Sequence, residues 1–400
     1  MNIERTKLIG LILLAVALPI SHVPVQLAVA FLLFVALYQR FVLKSIALEP
    51  HLVMKLLLAY VAWNILCALL SPRPLRSLWA TVDNEWPSLT MVTMVWLIDD
   101  PQTLRRLMRT FLFSAGFVAA YAIVSSLIGY DVIKGRALDP IGSHFYRATG
   151  LYGFYLTYAA HAMNVFFLAW FYLLEEKKDS RPLIVVVLVV GVAIVLTFAR
   201  SIWIGMAILI PVGAIVKWGR SSWKVLLPTI LAAAALLIAA PTIRDRALSV
   251  LDFSQNETRL NLWKTALSIS SDHRVVGIGE DNWDYYFERY KVQGFYDTTV
   301  HAHTDYLTVL VNAGIPGLVL FCWMWFVVLR IGFRTWKNSD DTLLRAASAG
   351  GSLAIAGMLI GSLFQNYYGT FVNCFGWWFL AGIVLTAEKL AKSVSTQTSL

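Results

Sequence analysis

The sequence predicts an all-α polytopic membrane protein with about 12 transmembrane helices. Of its 400 residues, 58% are hydrophobic and only 14% are charged, whereas about 25% of the residues in a soluble protein are charged. A helix needs about 20 mostly apolar residues to cross a bilayer. Apolar runs of that order lie at residues 7–22, 25–42, 52–71, 79–98, 109–129, 151–174, 183–199, 201–217, 223–240, 304–330, 346–365 and 371–387.

Two of these regions require a break in the helix. The dipeptide Trp86-Pro87 interrupts the fourth run, and a proline inside a helix removes a hydrogen bond and clashes with the preceding turn. The stretch 182–216 is too long for one span and contains no evident loop. We therefore expect a tight hairpin near Arg200.

Basic residues predict the orientation in the membrane. Short cytoplasmic loops are enriched in Lys and Arg, and the basic flanks of this chain alternate consistently with the predicted helices. This alternation predicts that both termini lie in the cytoplasm and that one large segment faces outward, into the periplasm if the cell is Gram-negative. The predicted parts are transmembrane helices 1–9 (1–240), a mostly helical periplasmic segment (241–303), transmembrane helices 10–12 (304–388) and a cytoplasmic tail (389–400) that is disordered after Lys392.

The outward segment has a helical pattern of its own. Residues 254–257 (Ser-Gln-Asn-Glu) have the spacing of a capping box and precede apolar residues at helical spacing. Arg259 lies four residues before Trp263, so both side chains should face inward. The Gly-Ile-Gly sequence at 277–279 predicts a turn, after which Asp281 is a candidate cap for a second helix that is rich in aromatic residues.

Charge and motifs exclude several classes of protein. The formal net charge is +9, but the Lys and Arg are spread between hydrophobic segments, so no nucleic-acid partner is expected. Nucleotide-binding and metalloprotease motifs are absent from the sequence, as are acidic residues spaced for a divalent metal. We expect no metal and no cofactor. The single cysteines Cys67, Cys322 and Cys374 predict neither a disulfide framework nor a zinc site.

Candidate catalytic and binding residues lie at the outward ends of the helices. His303 stands at the mouth of the tenth helix, and a helical register would place Tyr306, Gly314 and Gly317 on its face, where two glycines would let a neighbouring helix approach. Arg guanidinium groups match phosphate oxygens bidentately, so a diphosphate is a natural partner. The alternative is that His303 and the arginines only anchor or pack. The outward arginines are Arg147, Arg200, Arg244, Arg246, Arg259 and Arg274.

These residues resemble the O-antigen ligase family, which belongs to a superfamily with O-antigen polymerases and O-oligosaccharyltransferases. The specific resemblance covers roughly the third of the chain between Thr197 and Gly317. It rests on Thr197-Phe198-Ala199-Arg200-Ser201 at a helix end, Arg259-x-x-x-Trp263, Gly277-Ile278-Gly279, His303-Thr304 and Gly314-x-x-Gly317.

The resemblance implies a metal-independent, inverting glycosyltransferase with a C-type glycosyltransferase-like membrane architecture. The donor would be an undecaprenyl-diphosphate-linked glycan and the acceptor a sugar hydroxyl of the lipid A-core oligosaccharide, with membrane lipids around the protein. His303 would be the catalytic general base, and Arg200 and Arg259 would bind the diphosphate. The candidate supporting residues are His301, Arg147 and Tyr306, and His301 remains the alternative base.

Two other functions remain open at this point. An O-antigen polymerase would use the same donor and would need similar arginines, although the presence of one large outward segment in a short chain favours the ligase. A lipid-linked sugar transporter is the alternative from a different class. Transporters usually carry an acidic residue inside a span and repeated halves, and neither is expected here.

Overall fold

The computed structural model describes residues 3–46, 51–142, 145–176, 181–250, 256–299 and 301–398, and these are mainly helical. The first helices are α1 (Ile3–Ala17), α2 (His22–Phe41), α3 (Leu52–Leu69), α4 (Pro74–Glu85), α5 (Leu89–Leu97) and α6 (Pro101–Ile128). Two short antiparallel strand pairs follow, β1 (Tyr130–Asp131) with β2 (Arg136–Ala137) and β3 (Pro140–Ile141) with β4 (Phe145–Tyr146).

The remaining helices form two membrane groups and one group in the predicted outward segment, which we call the outward group. The first membrane group is α7 (Tyr155–Glu175), α8 (Arg181–Leu196), α9 (Arg200–Trp218) and α10 (Trp223–Ala239). The outward group is α11 (Pro241–Leu248), α12 (Glu257–Asp272) and α13 (Trp283–Tyr290). The last membrane group is α14 (Asp305–Asn338), α15 (Thr342–Gly361) and α16 (Phe371–Thr398).

The fold confirms an all-α polytopic membrane protein. Among the described residues, 8 helical stretches are long and apolar enough to cross a membrane, with α9 and α10 counted together as one stretch. Helix α8 is apolar but shorter. The breaks predicted from sequence are also present: a 3-10 turn at Trp86–Ser88 separates α4 from α5, and α8 ends at Leu196 before α9 begins at Arg200.

Helix α15 lies at the centre of the bundle. It packs against α7, α9, α14 and α16, and its inward positions are mostly Ala and Gly. Small residues let helix backbones approach closely in a membrane. At Gly350, an added Cβ would lie 2.9 Å from the Cα of Leu168 in α7. The two helices therefore define a rigid core against which the outward ends of the other helices are placed.

Three local predictions differ from the structure. Helix α16 continues to Thr398, so the disorder predicted after Lys392 is wrong for the described part of the tail. Helix α13 begins after Asn282, and the predicted cap Asp281 instead binds Arg76 of α4. In the predicted capping box, residues 254 and 255 lie outside the described residues, and α12 begins after Asn256, whose side chain makes no capping hydrogen bond.

Candidate active site

The outward segment lies directly against the start of α14. The backbone N–H groups of Ile278 and Gly279 donate to the carbonyls of Val311 and Asn312, each at 2.9 Å. Gly277 has a φ of 73°, and an added Cβ would lie 2.5 Å from the Asn312 carbonyl, so this position requires glycine. Residues 277–279 are non-helical, as predicted, with positive φ at Gly277 and Gly279, and they hold the outward segment against α14.

The glycine face predicted for α14 is only partly present. Gly314 has φ 65° and ψ −170°, which breaks the helix, and an added Cβ would lie 2.1 Å from the carbonyl oxygen of Val275. A loop of the outward segment therefore approaches Gly314, instead of the neighbouring helix that we expected. Gly317 does face a helix, since its nearest partner outside α14 is Trp63 of α3.

His303 lies just before α14, as its sequence position predicted. Helix α14 begins at Asp305, and the backbone of His303 is left-handed with a φ of 52°. The helical register therefore does not extend back to His303. Its N–H donates to His301 Nδ1 at 3.0 Å, and the two ring centroids are 4.2 Å apart. A non-glycine residue held at positive φ is a strained position of the kind found at functional sites.

One nitrogen of His303 is held and the other is available. Nδ1 lies 3.3 Å from the side-chain oxygen of Gln365, and an amide oxygen can only accept a hydrogen bond. Nδ1 therefore carries the proton, which leaves a lone pair on Nε2. Nε2 is buried and has no hydrogen-bond partner among the described residues. This tautomer is the one that a general base requires.

Both histidines are held in the neutral form. Burial lowers the pKa of His303, and the positive charge of Arg259 lowers it further, although the Gln365 hydrogen bond acts in the opposite direction. Burial, followed by repulsion from His303, lowers the pKa of His301 to about 4. His301 uses its Nδ1 to accept the His303 N–H. His301 therefore contacts His303 and helps to position it.

Arg200 begins α9 next to the outward segment. Its guanidinium donates to the Ser249 carbonyl at 2.8 Å and to the Asn256 side-chain oxygen at 3.3 Å. These contacts join α9 to the residues between α11 and α12. These two oxygen atoms help to hold the guanidinium in place.

Four arginines form a cluster, which we call the arginine cluster: Arg147, Arg200, Arg246 and Arg259. Their proximity is shown by their effect on Arg246, whose pKa is lowered to about 10 by burial and then by the positive charges of Arg200, Arg147 and Arg259. Arg246 donates to the carbonyl of Phe198 at 3.2 Å. Phe198 has a φ of 55° in the turn between α8 and α9, so a second strained residue lies at this site.

Three members of the arginine cluster carry weakly compensated charge. Arg147, Arg246 and Arg259 form no ion pair with a carboxylate in the described ranges. Arg147 Nη1 is buried without a hydrogen-bond partner among the described residues, and the guanidinium lies 4.0 Å from the ring centre of Tyr155. The three side chains are half-buried, and like charges that are close together repel one another, so a bound anion would relieve this repulsion.

Some residues of the site were not predicted, and some predicted residues lie elsewhere. The outward arginines Arg244 and Arg274 are exposed; Arg244 pairs with Asp245 and Arg274 donates to the Ser271 carbonyl. The hydroxyl of Tyr306 donates to the Leu359 carbonyl at 2.9 Å, which is a packing contact between α14 and α15. Its predicted supporting role is untested.

The loop between α15 and α16 supplies the contacts that sequence analysis missed. Gln365 meets His303, and the hydroxyls of Tyr367 and Ser201 share a hydrogen bond of 2.9 Å. The charge of Arg259 acts on the pKa of Tyr367, which burial raises. The available signal was the polar run 365–370 between two apolar runs, at the outward end of the eleventh predicted helix.

Asp305 fixes this loop next to His303. Its carboxylate accepts the backbone N–H groups of Tyr367 and Tyr368 at 2.9 Å and of Gly369 at 3.1 Å, as well as the hydroxyl of Ser362. The Asp305 side chain is buried. Four donors compensate for the loss of water around a buried carboxylate. Asp305 is therefore a positioning residue for the loop that holds Gln365.

A carboxylate cluster, comprising Asp305, Glu85 and Glu280, lines a cavity of about 60 Å³. Glu85 is buried in α4 and accepts the hydroxyl of Tyr368 at 2.8 Å. Because Glu85 lies inside the predicted span 79–98, our expectation that the spans lack interior acidic residues is wrong, and that argument against a transporter does not hold. Glu280 accepts from Asn312 at 2.8 Å and from Asn84 at 3.3 Å.

Together, these features define a multi-pass membrane protein with a cationic site and a neutral histidine at one end of its helical bundle. Residues 184–322 match the family model described as O-antigen ligase, which confirms the family resemblance and includes all of its motifs. The match covers about a third of the chain, and that part is similar to a family of ligase- and polymerase-type enzymes that act on lipid-linked glycans. No curated protein matches the chain.

Proposed function

We propose that this protein is an O-antigen ligase. It would transfer an O-antigen glycan from undecaprenyl diphosphate to a sugar hydroxyl of the lipid A core, with inversion at the anomeric carbon. The proposal is supported by Arg259, a member of the arginine cluster whose charge also acts on His303, and by the Nε2 of His303, which is buried and has no described partner. A group for anion binding and a group for proton removal are thereby brought together.

In the proposed reaction, His303 acts on the acceptor. Nε2 takes the proton of the sugar hydroxyl while the hydroxyl oxygen attacks the anomeric carbon of the donor. The bond between that carbon and the diphosphate oxygen breaks, and its electron pair leaves with the diphosphate. The Nδ1 contact with Gln365 holds the ring in the basic tautomer throughout. A positioned base of this kind contributes about 10²- to 10⁴-fold to a rate.

The arginine cluster would bind the diphosphate and stabilise the negative charge that develops on it. Such charge-assisted bonds are strongest in a site from which water is excluded. In this proposal the arginines supply the positive charge that a metal supplies in other transferases. Among the described residues, His, Cys, Asp and Glu side chains form no group of three or more that could hold a metal ion. Metal independence stays a prediction.

The proposed location is the bacterial inner membrane, with the site on the periplasmic side and both termini in the cytoplasm. This orientation rests on the alternation of the basic flanks. In a cysteine-free background, a cysteine at Asp297 should react with a membrane-impermeant thiol reagent added outside spheroplasts, and one at Asn338 should not. The reverse labelling would overturn the proposed orientation.

A reaction with the purified full-length protein tests the function. The protein is mixed with undecaprenyl-diphosphate glycan and lipid A core, and the products are separated by size. A ligase gives lipopolysaccharide that carries the glycan, and His303→Ala should give none. A longer lipid-linked glycan that forms without lipid A core would identify a polymerase. Absence of any glycan transfer, with glycan movement across proteoliposomes, would identify a transporter.

A further inference from the structure

A second possible binding site lies in a groove between α1 and α6. Its volume is about 850 Å³ and its walls are almost entirely apolar: Val16 of α1 and Ile20 in the turn after it line the groove together with Phe113 and Phe117 of α6. The groove is open to the side of the bundle, where the apolar outer surface of the helices would meet lipid. One acyl chain of a membrane lipid is also apolar and is therefore suited to this groove.

One end of this groove is strongly positive. Arg105, Arg106 and Arg109 line it from the first turns of α6. Arg105 forms an ion pair with Glu176. Arg106 is exposed, and neither Arg106 nor Arg109 has an ion pair with any carboxylate in the described ranges. Two guanidinium groups are therefore available at the point where the apolar groove ends.

This positive end is far from the arginine cluster. Helix α6 advances about 26 Å between Arg109 and Ser126, at 1.5 Å per residue. Ser126 donates to the carbonyl of Tyr146, the residue before Arg147. The two groups of arginines are thus separated by nearly the thickness of a bilayer core, which is about 30 Å. A lipid headgroup held at Arg106 lies in the other leaflet from a diphosphate held at the candidate active site.

We propose that the groove between α1 and α6 binds one anionic phospholipid. Arg106 and Arg109 hold the headgroup phosphate, and one acyl chain lies along Val16, Phe113 and Phe117. Basic pockets between helices at one membrane surface are suited to anionic headgroups, and the planar guanidinium fits phosphate oxygens. A zwitterionic lipid carries its own positive group, so it gains less from the two arginines.

Thermal unfolding of the full-length protein in detergent tests this site. Phosphatidylglycerol or phosphatidylcholine with identical acyl chains is added to the micelles in increasing amounts, and bound lipid is counted by native mass spectrometry. Phosphatidylglycerol should raise the unfolding temperature and stay bound as one molecule. Two surface arginines are worth roughly a 30-fold change in lipid affinity, so Arg106→Gln/Arg109→Gln should weaken binding by about that factor.

Two further variants distinguish lipid binding in the groove from general effects of charge and lipid. Arg220→Gln/Arg330→Gln removes the same charge from exposed positions outside the groove, and it should bind phosphatidylglycerol like the wild type. Val16→Trp fills the groove and keeps all the arginines, and it should lose the bound lipid. Equal stabilisation by both lipids, or phosphatidylglycerol binding that survives both groove variants, would overturn the proposal.

Discussion

The arginine cluster and the carboxylate cluster both lie near the start of α14, but the partners of their charged groups differ. In the carboxylate cluster the negative oxygens accept hydrogen bonds from neutral donors: Asp305 from three backbone N–H groups and a serine, and Glu280 from two asparagines. In the arginine cluster, positive groups lie near one another, and the pKa of Arg246 is lowered first by burial and then by these neighbouring charges.

This difference separates structural charges from functional ones. A buried charge that is fully satisfied within the chain holds its neighbours in place and gains nothing from a ligand. Half-buried charges of one sign that repel one another are stabilised when an opposite charge binds. We therefore assign anion binding to the arginine cluster and the positioning of the loop to Asp305. The following predictions test this division, beginning with the largest expected effect.

Replacement of His303 should have the largest effect. His303→Ala removes the proposed base, so glycan transfer should fall by at least about 10²-fold. Binding of the lipid-linked donor should persist, because the arginines are unchanged. His301→Ala should lose less transfer, since His301 contacts His303 through the backbone N–H. A larger loss of transfer in His301→Ala than in His303→Ala would reassign the base.

Lysine substitutions in the arginine cluster should each lower transfer by about tenfold or more, because lysine keeps the charge but loses the bidentate geometry. The variants are Arg200→Lys, Arg246→Lys and Arg259→Lys, and the readouts are donor binding and the transfer rate. Arg244→Lys is the matched control, since Arg244 is an exposed residue of the same short helix as Arg246. If all three variants bind donor and transfer glycan normally, the arginines have only a packing role.

A substitution in the carboxylate cluster should first lower the stability of the protein. Asp305→Asn places an amide NH₂ where the carboxylate now accepts several N–H groups, which should cost about 2–3 kcal/mol and should loosen the loop that carries Gln365. Thermal unfolding measures the loss of stability. Asp340→Asn, at an exposed site just after α14, is the control. Unchanged stability together with lost donor binding would show that Asp305 belongs to the binding site and does not only position the loop.

Part of the fold and of the candidate site could be predicted from the sequence, and the reasons are local. The apolar runs indicated the membrane helices, and the position of His303 at the end of a polar segment indicated the mouth of α14. Arg200 and Arg259 were singled out through short motifs, and their roles stay predictions. The charges of both arginines act on Arg246, and that of Arg259 also acts on His303.

The rest depends on contacts between distant parts of the chain. Arg246 and Arg244 are two residues apart on a short helix, and only the packing of that helix shows which one turns inward. Gln365 is 62 residues after His303, so nothing near His303 in the sequence indicates the contact. The break at Gly314 arises from the loop that lies against it, which helical periodicity does not reveal.

The last predicted effect is a dependence of stability alone on pH. Burial raises the pKa of Glu280 to about 7 from its ordinary value of 4.5, so the folded protein binds this proton more tightly than the unfolded chain does. Stability should therefore fall as pH rises from about 4.5 to about 7, by roughly 3 kcal/mol. Glu280→Gln should remove that part of the slope in thermal unfolding. An identical slope in the variant would show that Glu280 does not titrate differently on folding.

The most direct test of the central claim is the pH dependence of single-turnover glycan transfer by the EDTA-treated wild-type protein. A neutral His303 acting without a metal predicts full transfer near pH 7 and a loss of rate at lower pH. Because burial lowers the pKa of His303, the midpoint of that loss should lie below about 6.5, the ordinary value for histidine. Transfer that requires magnesium or manganese, or a rate that rises as the pH falls, would contradict the account.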